Sequence, residues 1–285
     1  MKYRLLGQVT LQHTKVVDIG GMKHRVLLAC LLLSANRFRS IDDITESLWD
    51  CRPPKSSQNL IRLYVHQLRK RMGNSGADLM TSPGGYTLRV DPGELDLHVF
   101  ETKTGHARAL MATGDYESAA ARFDSAFALW RAPFIFYTGS PSLDELHGPR
   151  LEDTAISAVE DHAETLLALG RWLPLTTRLR PLVERFPFRE RLLGQYMLAL
   201  HWSGRRVEAL DVFQRLRSSL VSELGIEPSR ELSALRQRIV CDDTDLAPPD
   251  VPLPALAMAG PAQPRRRVRT RQAGQGLQGA LERQR

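Results

Sequence analysis

Asn59, Arg62, Leu63, His66 and Lys70 recur at spacings of one, three and four between Ser57 and Met72. On a helix those spacings gather them on one side. Hydrogen-bonding and cationic groups collected in this way suit the edges of bases in a DNA major groove. Arg62 is placed for a bidentate guanine contact, and Leu63 for a thymine methyl. The opposite side carries Ile61, Val65, Leu68 and Met72, the i, i+4, i+7, i+11 stripe of a buried face. Arg69 and Arg71 fall at the sides of the helix, where phosphate contact is expected. Lys55, Ser56 and Ser57 open the helix, whose free N–H groups and dipole favour an anion. Thr81 and Ser82, in the hairpin text that follows, can donate to phosphate, whereas Tyr86 is expected in the core under that hairpin. The competing reading is a solvated charged face. It loses ground because the preceding layout is helix-turn-helix, a hairpin follows, and the basic charge is concentrated here.

Catalytic chemistry finds no comparable support. The sequence contains no Gly-x-x-x-x-Gly-Lys-Ser/Thr loop, no Gly-x-Ser-x-Gly elbow and no His-Glu-x-x-His pair. The histidines are scattered, and none stands at metal-ligand spacing with a cysteine. No catalytic residue, metal site or cofactor is therefore expected, and the chain is not read as an enzyme. Cys30, Cys51 and Cys241 are odd in number and far apart, which argues against a disulfide framework. The longest apolar run, 26–33, is too short for a bilayer and is read as part of an amphipathic helix. No charged segment followed by an apolar one opens the chain. A cytoplasmic, nucleoid-associated protein with no membrane contact is expected.

The elements that would position the reading face follow from the text around it. Tyr3-Arg4-Leu5-Leu6, Val9-Thr10-Leu11 and Val16-Val17-Asp18-Ile19 read as a small antiparallel sheet. A helix is predicted over 24–35, stopped at Asn36 in a left-handed cap. After the extended piece Phe38-Arg39-Ser40, Ser40 caps a second helix. Asp42 and Asp43 lie in its first turn, and Ile41, Ile44, Leu48 and Trp49 are expected to be buried. Pro53-Pro54 forces a loop before the basic helix. The order of sheet, helix, helix, loop, helix and hairpin is that of a winged helix-turn-helix, with an unusual sheet in front.

From Glu94 the text becomes almost purely helical. Gly114-Asp115-Tyr116, Gly170-Arg171-Trp172 and Gly204-Arg205-Arg206 open similar segments, and the last two glycines stand one tetratricopeptide period apart. An insertion is expected in 133–149, and Pro181 predicts a kink or an early break. After Cys241 the Pro/Ala/Arg/Gln/Gly text lacks apolar periodicity and is expected to be disordered. Its basic run at 265–271 is read first as a solvated tail and only second as a nonspecific DNA contact. The expected domains are a winged-helix DNA-binding domain at 1–93, an all-α tetratricopeptide-like domain at 94–241 and a tail at 242–285. Their formal charges are unlike: residues 1–93 carry +7, 94–245 carry −5 and the remainder +5. A basic head facing a polyanion, beside an acidic middle with another task, fits that asymmetry.

These residues also resemble a family. Gly21-Met22-Lys23-His24-Arg25-Val26-Leu27-Leu28-Ala29, Ile41-Asp42-Asp43-Ile44 with Leu48-Trp49, and Gly85-Tyr86-Thr87-Leu88-Arg89-Val90 look like the front of a Streptomyces antibiotic regulatory protein. Asp96-Leu97 with Phe100, Ala128-Leu129-Trp130-Arg131, Pro187-Phe188-Arg189-Glu190-Arg191 and Glu223-Leu224-Gly225-Ile226-Glu227-Pro228 are similar to the bacterial transcriptional activator domain of that family. The resemblance implies an OmpR-type winged helix, the output domain of two-component systems, here without a receiver. It implies an activator of antibiotic biosynthesis genes that binds direct repeats in promoter DNA as a homodimer or as tandem monomers. It further implies recruitment of RNA polymerase holoenzyme through sigma, alpha and beta-flap contacts. With no P-loop visible, the short form of the family is expected. The chain differs from the family in His66-Gln67, where a small residue and Arg are usual. It differs also in Ser82, where a basic residue is common, and in 134–148. The alternative function is a tetratricopeptide-like interaction regulator whose winged domain binds protein and not DNA.

Overall fold

The computed structural model describes residues 2–12, 15–50, 52–131 and 137–248, all within one compact unit. The expected 249–285 portion of the tail lies outside the described residues. Three short strands, β1 (Tyr3–Arg4), β2 (Thr10–Gln12) and β3 (Val16–Val17), pair antiparallel in the order β1-β2-β3. Helix α1 (Met22–Leu33) follows, then β4 (Arg39–Ser40), α2 (Ile41–Trp49) and α3 (Ser57–Met72). The hairpin β5 (Leu79–Ser82) and β6 (Gly85–Leu88) joins β4 in a second sheet of order β4-β6-β5. Helices α4 (Asp96–Ala112), α5 (Tyr116–Phe127), α6 (Pro141–Ala168), α7 (Leu173–Arg185), α8 (Glu190–Trp202), α9 (Arg206–Ser219) and α10 (Arg230–Cys241) complete the fold. It is mainly helical, with small antiparallel sheets at the N-terminal end, as expected.

Local chemistry accounts for most of these boundaries. The Ser40 hydroxyl accepts from the Asp43 N–H at 3.0 Å while the Asp43 carboxylate accepts from the Ser40 N–H at 3.2 Å, a reciprocal capping box that starts α2. Asn36 takes the left-handed conformation (φ 65°) expected of it, and its amide exchanges two 2.9 Å hydrogen bonds with the Val90 backbone. Gly114, Gly170 and Gly204 stand at φ 79°, 70° and 74° in the turns after α4, α6 and α8. Each closes one helix and aims the next, a conformation that costs a side-chain-bearing residue more than glycine.

Several expectations are corrected. Helix α1 begins at Met22, not at residue 24. It is not amphipathic, since every residue from Val26 to Leu32 is buried. Beyond its first turn it lies in the middle of the N-terminal part, packed by α2, α3 and β6, so from Val26 to Leu32 it has no solvent face to mark with polar residues. Ile41 and Trp49 are only half-buried, because they flank the core face held by Ile44 and Leu48. Pro181 does not break α7, which runs on to Arg185 with Leu175, Leu179 and Leu182 buried; packing of that apolar face outweighs the missing donor. From Pro141 onward the supposed insertion is about the first two and a half turns of α6, with Pro149 inside the helix. Residues 242–248 are ordered. A 3-10 turn (Thr244–Leu246) buries Leu246, whose carbonyl accepts from the Trp202 indole at 2.7 Å.

Helix α6 decides how the parts join. Its 28 residues span about 42 Å at the usual helical rise. Leu143, Leu151 and Ala158 enter a first hydrophobic core with the winged part, α4 and α5. Ile156, Val159, Ala163, Leu166 and Leu167 enter a second core with α7 to α10. At its start, the Ser140 hydroxyl donates to the Ser47 carbonyl at 2.6 Å, and the Ser142 N–H to the Asp50 carboxylate at 3.3 Å. Asp50 ends α2 at φ 52°, ψ −132°, a conformation that costs about 1–3 kcal/mol for a residue with a side chain. The turn leading toward α3 is thus held by contacts from the helical part.

Candidate nucleic-acid interface

The buried stripe of α3 is the predicted one. Ile61, Val65, Leu68 and Met72 are each at most 1 % exposed. Burying four such side chains contributes about 6–12 kcal/mol before entropy is counted, enough to fix the rotation of the helix. Asn59, Arg62, Leu63, His66 and Lys70 all lie on the exposed side, and Leu63 keeps 46 % of its surface in solvent. Arg62 reaches the Asn59 amide oxygen at 3.4 Å, so the guanidinium and the amide stand together near the start of the face.

Residues that the helical pattern does not single out lock this orientation. The His24 imidazole on α1 meets the Gln67 amide oxygen at 2.6 Å and stands edge-on to Tyr64 with ring centroids 5.0 Å apart. Tyr64 in turn faces Trp49 of α2 at 6.4 Å, and Lys23 lies over the Trp49 ring at 5.7 Å. Gln67, which differs from the family pattern, therefore belongs to the support of the helix. The sequence signal for it was weak: Tyr64 and Gln67 flank the apolar stripe one helical turn apart.

The residues expected at phosphates divide. Lys55 and Ser56 are exposed and Ser57 half-buried at the start of α3, where no side chain caps the helix. Thr81 is exposed on the hairpin and Ser82 half-buried. Arg69 is turned to a different task. Its Nε and Nη2 donate to the Leu79 carbonyl at 2.9 and 2.5 Å, and Nη2 also to the Thr81 hydroxyl oxygen at 2.8 Å. Those contacts tie the hairpin to α3 and leave the Thr81 O–H free to donate outward. Arg71 does not join the exposed set of α3. Its guanidinium fills the space beside Gly20 that a Cβ there would occupy, and Nη1 is buried without a hydrogen-bond partner. Helical rotation brings position 71 back over α1, which sequence spacing alone had placed at the side of the helix.

The hairpin is short and stiff. The pairing Ser82↔Gly85 leaves Pro83-Gly84 as a two-residue turn, with Gly84 at φ 81°. The Gly84 carbonyl accepts from the Ile41 N–H at 2.9 Å, fixing the tip to the start of α2. Tyr86 is buried beneath the wing, as its position suggested. Arg69→Ala is expected to release the wing at a cost of about 1–2 kcal/mol, raising amide exchange across Leu79–Leu88. Unchanged protection of those amides would remove Arg69 from the role of strut.

Among the described residues no group of three His, Cys, Asp or Glu side chains could hold a metal ion, and no helix is long and apolar enough to cross a membrane.

The chain is similar to proteins of one kind. Residues 95–240 match the model of the bacterial transcriptional activator domain. Regulatory protein DnrI of Streptomyces peucetius is 33 % identical over 268 residues, covering 90 % of this chain and 98 % of that one. Regulatory protein AfsR of Streptomyces griseus is 32 % identical over 92 % of this chain, which spans only 27 % of that longer protein. The structure of Mycobacterium tuberculosis EmbR in complex with a low affinity phosphopeptide superposes with a TM-score of 0.78 at 29 % identity, covering 85 % of this chain and 65 % of that one. DnrI and AfsR are regulatory proteins. An activator-domain match over half the chain, full-length similarity to DnrI and the shared fold lead to one assignment: the chain belongs to the Streptomyces antibiotic regulatory protein family of transcriptional activators.

Proposed function

We propose that this protein is a sequence-specific DNA-binding activator of a secondary-metabolite gene cluster, with α3 as the major-groove reader. The observation that carries this reading is the division of α3: a fully buried apolar stripe on one side, and Asn59, Arg62, Leu63, His66 and Lys70 displayed to solvent on the other. Arg62, Asn59, His66 and Lys70 address base edges and Leu63 a thymine methyl, while Lys55, Ser56, Ser57, Thr81 and Ser82 address phosphates. In this reading residues 1–93 form the DNA-binding domain and 94–241 a tetratricopeptide-like activator domain. Family membership supports tandem monomers or a homodimer on direct repeats, contacts to RNA polymerase holoenzyme, and action in the cytoplasm at the nucleoid.

Arg62→Ala is expected to weaken operator binding by about 1–3 kcal/mol and to relax base preference at one position. A mobility-shift series at several salt concentrations, with operator variants, checks both. If affinity and preference both survive the substitution, the reading face is wrongly assigned. Binding that is absent, or indifferent to salt, would favour a winged domain that engages protein instead.

A further inference from the structure

A second cationic site lies away from α3, where the link between the winged and helical parts runs over α4 and α5. Here a cavity of about 550 Å³ is flanked by His98, Lys103 and His106 of α4 and by Arg122 of α5. His98 and His106 lie two helical turns apart on one side of α4, so both imidazoles border the same hollow. No carboxylate lines it. Elsewhere in the helical part arginines are regularly paired: Arg108 with Asp161, Arg171 with Glu117, Arg185 with Glu152, Arg217 with Glu227. Among the described residues the side chains of Arg122, His98 and His106 have no hydrogen-bond or ion-pair partner. Lys103 is pinned by its own donations to the Ser125 hydroxyl at 2.8 Å and carbonyl at 3.3 Å, which fix an ammonium at the rim while leaving it a third proton to donate.

The same hollow is lined by Val90, Pro92 and Val99, and Val90 is held by its two hydrogen bonds to the Asn36 amide. An occupant that combines anionic oxygens with an apolar or ring-shaped body matches this mixed lining of cationic and apolar side chains. A phosphate ester on a small organic molecule meets both demands: its oxygens can accept from guanidinium, imidazole and ammonium donors, and its body can cover Pro92 and Val99.

We propose that this hollow is a binding site for a phosphorylated small molecule. Such a ligand touches the 90–93 link, the turn at Asn36 and the helical part at once, so its occupancy bears on how firmly the winged part is held.

The test uses the full chain titrated calorimetrically with inorganic phosphate, then with adenosine monophosphate and with adenosine, at constant ionic strength set by chloride. The expected result is saturable binding of phosphate, tighter binding of the nucleotide and none of the nucleoside. Arg122→Gln, an exposed and unpaired position, is expected to weaken both phosphate-bearing probes about tenfold with an unchanged thermal midpoint. His98→Gln with His106→Gln is expected to do the same. Failure of both probes to saturate overturns the proposal, as does saturation that these substitutions leave unaltered. A third arm adds a duplex of unrelated sequence. Displacement of phosphate by that duplex, together with loss of duplex affinity in Arg122→Gln, would assign the cluster to the DNA backbone and also overturn the small-molecule site. Because Arg122 is remote in sequence from α3, operator binding by the unliganded variant stays a separate measurement from this one.

Discussion

Replacing Asp96 by alanine is expected to destabilise the protein by about 3–5 kcal/mol, a large share of the stability of an ordinary domain. Asp96 opens α4 and is 1 % exposed. Its carboxylate accepts from the Leu5 N–H at 2.7 Å and the Leu6 N–H at 3.1 Å, and Arg131 approaches at 3.5 Å. Just before it, the Glu94 carbonyl accepts from the N–H groups of Lys2 and Tyr3, both at 2.8 Å. The N-terminal sheet is thus fastened to the first turn of the helical part by the buried Asp96 carboxylate and the Glu94 carbonyl before it. Burial pushes the Asp96 carboxyl above its ordinary range, against the Leu5 and Leu6 N–H groups and Arg131, which pull it down. A raised folded value means that the group's contribution is greatest at low pH and declines as pH rises through that value. Deletion is nevertheless costly, because alanine leaves two buried N–H groups without an acceptor and Arg131 without its partner. Asn at this position retains one acceptor oxygen and is expected to lose about half as much. Urea unfolding at neutral pH measures both. A loss below about 1 kcal/mol for the alanine variant would mean that the sheet is held by its apolar residues and the Glu94 carbonyl without Asp96.

Acidification from pH 6.5 to 4 is expected to remove about 3 kcal/mol through a single histidine. His162, on α6, is 4 % exposed and packed against Phe123 and Phe127, with ring centroids 5.5 Å away in each case. Burial lowers its pKa from 6.5 to about 4; Asp124 of α5 opposes that shift, and Arg178 of α7 adds to it. At neutral pH the ring is therefore uncharged, and its 3.6 Å approach to Asp124 is not an ion pair. The sign follows directly. Between pH 6.5 and 4 the unfolded chain binds a proton here that the folded chain refuses, so stability falls as pH falls. Buried carboxyls such as Glu160, also raised by burial, act in the opposite sense, so the informative quantity is the difference between the protein and His162→Leu. That difference should shift in favour of leucine by about 3 kcal/mol between pH 7 and pH 4. A constant difference across this range would show that His162 is charged in the folded state.

The reading helix was legible because its signal is local. A 3.6-residue period places Ile61, Val65, Leu68 and Met72 on one side whatever surrounds the helix, and Asn59, Arg62, Leu63, His66 and Lys70 must then face away. The capping box at Ser40, the left-handed Asn36 and the glycines at 114, 170 and 204 were legible for the same reason, since each satisfies a backbone requirement within a few residues. Helix α1 was misread where periodicity fails: a helix buried all round carries no amphipathic pattern. Pro141 and Pro149 suggested a loop, yet one opens α6 and the other is absorbed by a long helix whose two cores outweigh a lost hydrogen bond.

The fates of Arg69 and Arg71 mark the boundary. Composition and spacing made both cations available at the edge of the exposed face of α3, and that availability is all a sequence can state. Tertiary structure assigned Arg69 to the hairpin carbonyl at Leu79, assigned Arg71 to the space beside Gly20, and gathered His98, Lys103, His106 and Arg122 around one hollow. By itself the sequence determined the mainly helical fold class with small N-terminal sheets, the family and the face of α3 that meets solvent, because short-range periodicity and backbone chemistry encode them. Only the packed structure decided which charged groups remain free for a ligand, because that depends on acceptors brought together from distant parts of the chain.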